Sequence, residues 1–86
     1  MKIIISPEAE KRLNKLPKFD QIAVAKKIRS LAKEAVFPEK LKGFEGFFRV
    51  RVGDYRIVYR KTDEQIYIVL ISHRKDVYDL FKRLFK

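Results

Sequence analysis

The sequence predicts an α+β domain of order β-α-α-β-β-β-α. A two-helix hairpin packs on one face of a small, mainly antiparallel four-stranded sheet, and a short C-terminal helix follows. Three observations carry this. The chain opens on a β-branched run, Ile3-Ile4-Ile5. Two segments then repeat apolar residues at helical spacing. Three strand-like runs come next, joined by tight turns. At 86 residues the chain is one domain, residues 1–86, with a single core. A chain of this size buries only about 60% of its unfolded surface, which leaves an open face or shallow groove rather than a deep site.

Each element has a local cause. Ser6-Pro7-Glu8 is a helix start: a capping hydroxyl, proline at the first helical position, and an acid near the positive helix end. Ala9, Leu13 and Leu16 share a face, and Pro17 ends that helix. The spacing of Val24, Ile28, Leu31, Ala32 and Ala35 predicts a second helix from about Lys18 to Ala35, and Phe37-Pro38 breaks it. The segment from Glu39 to Gly46 reads as a loop. Strands are predicted at about Phe47–Val52, Tyr55–Lys61 and Gln65–Ser72, with Gly53-Asp54 as a hairpin turn and Thr62-Asp63-Glu64 as a second tight connection. The run Ile66 to Ile71 is apolar on both faces, so its strand is central. The first strand lies at an edge or beside the last. Val77, Leu80, Phe81, Leu84 and Phe85 fall at the spacing of a short amphipathic helix.

Lys and Arg number 21 against 11 Asp and Glu, a formal net charge of +10. Such an excess speaks of partners: nucleic acid, a ribosome, an anionic surface or an acidic protein. There is no cysteine, which excludes a disulfide framework, a zinc knuckle and a thiol nucleophile. One histidine with few acids near it argues against a held transition metal. No window has the apolar length of a membrane span, and the opening is too short for a signal peptide. The expectation is a cytoplasmic protein with no membrane partner and no cofactor.

Alternation sends successive strand side chains to opposite faces. Arg49 and Arg51 therefore share one face, with Phe48, Val50 and Val52 on the other. In the next strand Arg56, Val58 and Arg60 share a face, with Tyr55, Ile57 and Tyr59 opposite. Once both apolar sets point into one core, the arginines line the other side. Clustered guanidinium forks suit a polyanion, and phosphate is the commonest one. Lys40 and Lys42 in the loop suit phosphate positioning, and Arg60 and Lys61 suit contact with ribosomal RNA or a protein partner. Tyr55 and Tyr59 read as core residues.

This order, with Leu41-Lys42-Gly43, Phe48-Arg49-Val50-Arg51, Gly53-Asp54-Tyr55-Arg56-Ile57-Val58-Tyr59 and His73-Arg74-Lys75-Asp76-Val77-Tyr78, resembles the RelE/ParE toxin superfamily over nearly the whole chain. The resemblance is to the RelE-type branch, whose members are ribosome-dependent mRNA endonucleases paired with an antitoxin. It implies an antitoxin, a ribosome and mRNA as partners, with the toxin monomeric alone and hetero-oligomeric with its antitoxin. It also implies a catalytic set. Arg49 and Arg51 match two basic positions of the second strand, usually lysine; Arg56 matches an arginine of the third; Arg74 and Tyr78 match an arginine and a tyrosine beyond the last strand.

The implied reaction is metal-free. The 2′-hydroxyl attacks the adjacent phosphorus, the 5′-oxygen leaves, and cyclic-phosphate and 5′-hydroxyl ends result. Arg49, Arg51 and Arg56 supply donors to the phosphorane, and Arg74 stabilises or protonates the leaving oxygen. Arginine does not deprotonate, so where the family has lysine this chain lacks a base. Tyr78, which also suits stacking on a splayed base, and His73, which titrates near neutrality, remain as candidates. Two other readings stay open: a ParE-like toxin that inhibits DNA gyrase without nuclease activity, and an inactive relative that only binds RNA or its antitoxin.

Overall fold

The computed structural model describes residues 2–33, 39–40, 46–76, 79 and 83. Strand β1 (Lys2–Ile5) leads into helices α1 (Pro7–Lys15) and α2 (Lys18–Leu31). Strands β2 (Glu39–Lys40), β3 (Phe47–Val52), β4 (Tyr55–Lys61) and β5 (Gln65–His73) follow. They form one sheet in the order β1-β5-β4-β3-β2. β1 runs parallel to β5 and every other pair is antiparallel. β1 is thus both at an edge and beside the last strand. The predicted count of four strands is corrected to five: Glu39 and Lys40, expected in a loop, lie opposite Arg49 and Phe48 on the outer edge of β3. A short strand there satisfies backbone groups that an open edge leaves unpaired. The predicted C-terminal helix falls outside the described residues, apart from Asp79 and Arg83, which are helical.

Ser6 starts α1 as its composition predicts. Its Oγ accepts from the Ala9 N–H at 3.0 Å, and Pro7 holds the first turn. The hairpin between the helices is closed by Gln21, whose Nε2 donates to the carbonyls of Asn14 at 3.2 Å and Leu16 at 2.9 Å. Those carbonyls are among the acceptors that a helix end leaves without a partner. α2 stops at Leu31, short of the predicted Ala35. The Ser30 hydroxyl donates to the Lys27 carbonyl at 2.6 Å, and the Lys33 N–H turns back to the Ser30 carbonyl at 3.0 Å. A hydroxyl that competes for carbonyls one turn back loosens a helix end.

The β3–β4 hairpin turns at Gly53, whose φ of +58° suits the first central position of a II′ turn. β4 and β5 pair in step from Tyr55–His73 through Val58–Leu70, then slip: Tyr59 pairs with Ile68, so Val69 is an extra residue, a β-bulge. The bulge is anchored from α1. Ser6 N–H donates to the Ile68 carbonyl at 2.9 Å, and Ser6 Oγ donates to the Val69 carbonyl at 2.8 Å.

One face of the sheet meets the helices. Ala9, Val24, Ile28 and Leu31 pack on Ile57, Tyr59, Ile66, Ile68 and Ile71, with Phe48, Val50 and Val52 at the margin. Tyr59 stacks on Phe48 with ring centroids 5.8 Å apart. Burial pushes its hydroxyl up to about pKa 12, so it is a packing group. Val58 and Leu70 are fully buried and oppose one another on the other face.

Candidate nucleic-acid interface

β3, β4 and β5 together contain no acidic residue and four arginines, Arg49, Arg51, Arg56 and Arg60. Residues opposite one another in register share a face. The face away from the helices therefore carries three rows: Phe47–Arg60–Tyr67, Arg49–Val58–Leu70 and Arg51–Arg56–Ser72. All four strand arginines lie there, as alternation predicts. Arg51 and Arg56 are directly opposite, a like-charge juxtaposition that works against strand pairing.

The geometry within this face is graded. Arg51 is exposed, and its Nε donates to the Gly53 carbonyl at 2.8 Å, which holds the guanidinium over the hairpin turn. Arg56 is half-buried and its Nε is shielded from solvent. Arg49 is half-buried beside the buried Val58. The Arg74 N–H donates to the Asp54 carbonyl at 2.8 Å, which ties the exposed Arg74, the first residue past β5, to the β3–β4 hairpin turn. Arg49, Arg51 and Arg56 thus lie toward the hairpin end of one face, with Arg74 in the adjoining turn. Forks so placed can hold several oxygens of a phosphodiester at once.

Other predicted residues lie apart. Arg60 stands four residues from Arg56 along β4, about 13 Å at the usual strand rise, with its guanidinium 5.9 Å from the Phe47 ring centroid. Gly46 precedes β3 at φ +82°, a left-handed conformation that favours glycine, while an added Cβ would meet Arg60 Nε only at ordinary contact, 3.9 Å. Lys61 pairs with Ile66 and so belongs to the helix-side face, away from Arg60. The Lys40 backbone pairs with Phe48 in the added strand. Lys42 and Tyr78 lie outside the described residues.

His73 lies apart from the arginines. It pairs with Tyr55, in register with Val52, on the helix-side face. Its ring meets Tyr55 edge-on with centroids 5.9 Å apart, and its Nδ1 accepts from the Lys75 N–H at 3.2 Å. The cause is Val69. Ile66 and Ile68 face the helices before the bulge; after it the phase flips, so Ile71 and His73 face them and Ser72 turns to the arginines. His73 is therefore not part of the arginine cluster. What sequence reasoning missed is Ser72 in that row, and a helix-side cleft of about 260 Å³ bordered by His73, Tyr55 and α1. Among the described residues no group of three or more His, Cys, Asp or Glu is placed to hold a metal ion. None of the described helices is long and apolar enough to cross a membrane.

Known proteins are similar to this chain in sequence and fold. Residues 3–78 match the family described as the ParE toxin of type II toxin–antitoxin systems, parDE. Toxin RelE3 of Methanocaldococcus jannaschii is 40% identical over 43 residues, which is 50% of this chain and 49% of that one, so the match spans about half of each. A putative RelE-like toxin protein of Escherichia coli is 32% identical over 80 residues, covering 85% of this chain and 84% of that one. The toxin in the RelB–RelE antitoxin–toxin complex from Methanococcus jannaschii has the same fold, with a TM-score of 0.74 at 24% identity over 91% of this chain and 98% of that one. Matched over most of its length, the chain belongs to the RelE/ParE superfamily of type II toxin–antitoxin toxins, as a RelE-type member.

Proposed function

We propose that this toxin is a ribosome-dependent, metal-free endoribonuclease that cuts mRNA in the decoding site and so blocks translation in the cytoplasm. The observation that carries the reading is the Arg51–Arg56 pair, with Arg49 on the same face and Glu39 of β2 as the one acidic residue in register there among the described strands. Two guanidiniums directly opposite one another are a cost to the sheet, and a dianionic phosphorane is the kind of group that offsets it. In this mechanism the 2′-oxygen bonds to phosphorus while Arg49, Arg51 and Arg56 donate to the non-bridging oxygens. The bond to the 5′-oxygen then breaks, with Arg74 stabilising that oxygen by its charge as it takes a proton from water. Arginine holds its proton, and His73 faces the other side of the sheet. The proton on the 2′-hydroxyl is thus assigned to Tyr78 or to a group the ribosome supplies. A surface site on a small domain suits a catalyst whose substrate is positioned by another particle. An antitoxin would cover the same arginines with acidic side chains, as charge complementarity favours.

The ParE description of the matching family keeps a second reading in view, a non-nuclease toxin acting on DNA gyrase. One experiment separates them. The purified chain is added to a translating extract, mRNA ends are mapped, and a gyrase supercoiling assay is run alongside. Cuts in register with codons, carrying 5′-hydroxyl ends, are the expected result. Intact mRNA with stalled gyrase–DNA complexes would overturn the nuclease reading.

A further inference from the structure

The second basic surface is the helix-side cleft at the same end of the sheet. It has a volume of about 260 Å³, enough to admit a phosphate with part of its nucleoside. Lys11 and Lys15, one helical turn apart on α1 and both exposed, form one wall. Arg12 is engaged with Glu8 at 3.1 Å, so these two largely cancel. Asp76 is the remaining acid at the cleft. Tyr55 and Leu16 give an apolar floor, and His73 closes the far side. Because Nδ1 of His73 accepts the Lys75 N–H, the neutral ring carries its proton on Nε2, as a donor.

This cleft is one register step from the arginine cluster. The row Val52–Tyr55–His73 on the helix side adjoins the row Arg51–Arg56–Ser72 on the open side. Around the rim of the sheet the chain runs His73, Arg74, Lys75, and the turn is fixed by the Asp76 N–H donating to the His73 carbonyl at 2.9 Å. Arg74 and Lys75 therefore carry positive charge over the end of the sheet, between Asp54 and Asp76. Accepting the endoribonuclease reading above, we propose that the RNA strand leaving the arginine cluster bends over this rim. A neighbouring phosphate of that strand is bound in the cleft by Lys11, Lys15 and the Nε2–H of His73. The site fixes the strand's direction across the toxin and takes no part in bond breaking.

The test is equilibrium binding of non-cleavable 2′-O-methyl RNA, as a dinucleotide and as a dodecamer, across a salt series. Each phosphate contact on a single strand contributes about 0.7 to the salt slope. Removing both lysines that hold this phosphate with Lys11→Gln/Lys15→Gln lowers the dodecamer slope by about 0.7, which is about a 5-fold loss at 0.1 M salt. Dinucleotide binding stays unchanged. His73→Asn, which keeps an acceptor for the Lys75 N–H and removes the Nε2 donor, weakens the dodecamer with no change in slope. His73→Gln, which can offer an N–H near the lost position, restores it. An unchanged dodecamer slope in the lysine variant, with Arg56→Ala weakening both oligonucleotides, overturns the cleft site and leaves the endoribonuclease reading standing. Failure of Arg56→Ala to weaken either one removes that reading as well. Retained RNA binding with lost binding to polyglutamate would assign the cleft to an acidic protein and also overturn the proposal.

Discussion

Ser6→Ala isolates the joint between α1 and the bulged strand. The side chain is 6% exposed and its Oγ makes two bonds, accepting from Ala9 N–H at 3.0 Å and donating to the Val69 carbonyl at 2.8 Å. Loss of an N-cap of this kind costs about 1 kcal/mol. The Val69 carbonyl, in a residue only 3% exposed, loses a donor in an apolar setting, which costs about 1–3 kcal/mol more. The two together come to about 2–4 kcal/mol. A chain of this length has a total stability of about 4–13 kcal/mol, so the loss is a large share. It corresponds to a fall in Tm of about 8–30 °C. Urea unfolding followed by circular dichroism reads the free energy, and amide exchange at Ala9 reads the cap directly. A Ser6→Ala chain that unfolds within about 0.5 kcal/mol of the parent, in the range of a neutral surface change, would show that the bulge does not depend on the Ser6 hydroxyl.

Three further outcomes are expected. Arg56→Ala lowers mRNA cutting by about 10²–10³-fold, the usual effect of one lost oxyanion donor, with the far-ultraviolet spectrum unchanged; activity within a few-fold of the parent would remove Arg56 from the reacting set. His73→Ala leaves the rate of cutting in saturated ribosomes within a few-fold, since the imidazole lies across the sheet from the arginines; a loss of 10²-fold or more would return it to the mechanism. Tyr59 is the pH-sensitive core group, raised to about 12 by burial. Its unfolded hydroxyl ionises near the ordinary tyrosine value of 10.0 while the folded one stays protonated, so its contribution to stability is full below pH 10 and falls as pH climbs toward 12. The slope approaches about 1.4 kcal/mol per pH unit. Chemical denaturation between pH 9 and 11 measures it, and an equal decline in Tyr59→Phe would refute the assignment.

Much of the fold is written in local chemistry. Ser6-Pro7, the Gly53-Asp54 turn and the alternation of Phe47–Val52 against Tyr55–Lys61 each specify their own geometry, and together they set the arginines on one face. β5 is different. Ile66 to Ile71 is apolar at every position, so periodicity has no phase to report, and nothing in that run marks Val69 as supernumerary. Whether His73 or Ser72 faces the arginines depends on that count, which is why the histidine's side was not legible. β2 was missed because two residues cannot display a period. The end of α2 was missed because Ser30 acts through its hydroxyl while the apolar stripe continues past it.

The single surplus residue in β5 also governs how relatives are compared. Two toxins aligned position by position through this strand, one with the insertion and one without, will have their terminal residues swapped between faces. An imidazole that serves substrate in one becomes a groove lining in the other. Transfer of a catalytic role across the superfamily therefore requires counting residues between the Tyr59–Ile68 pair and the Tyr55–His73 pair before matching letters.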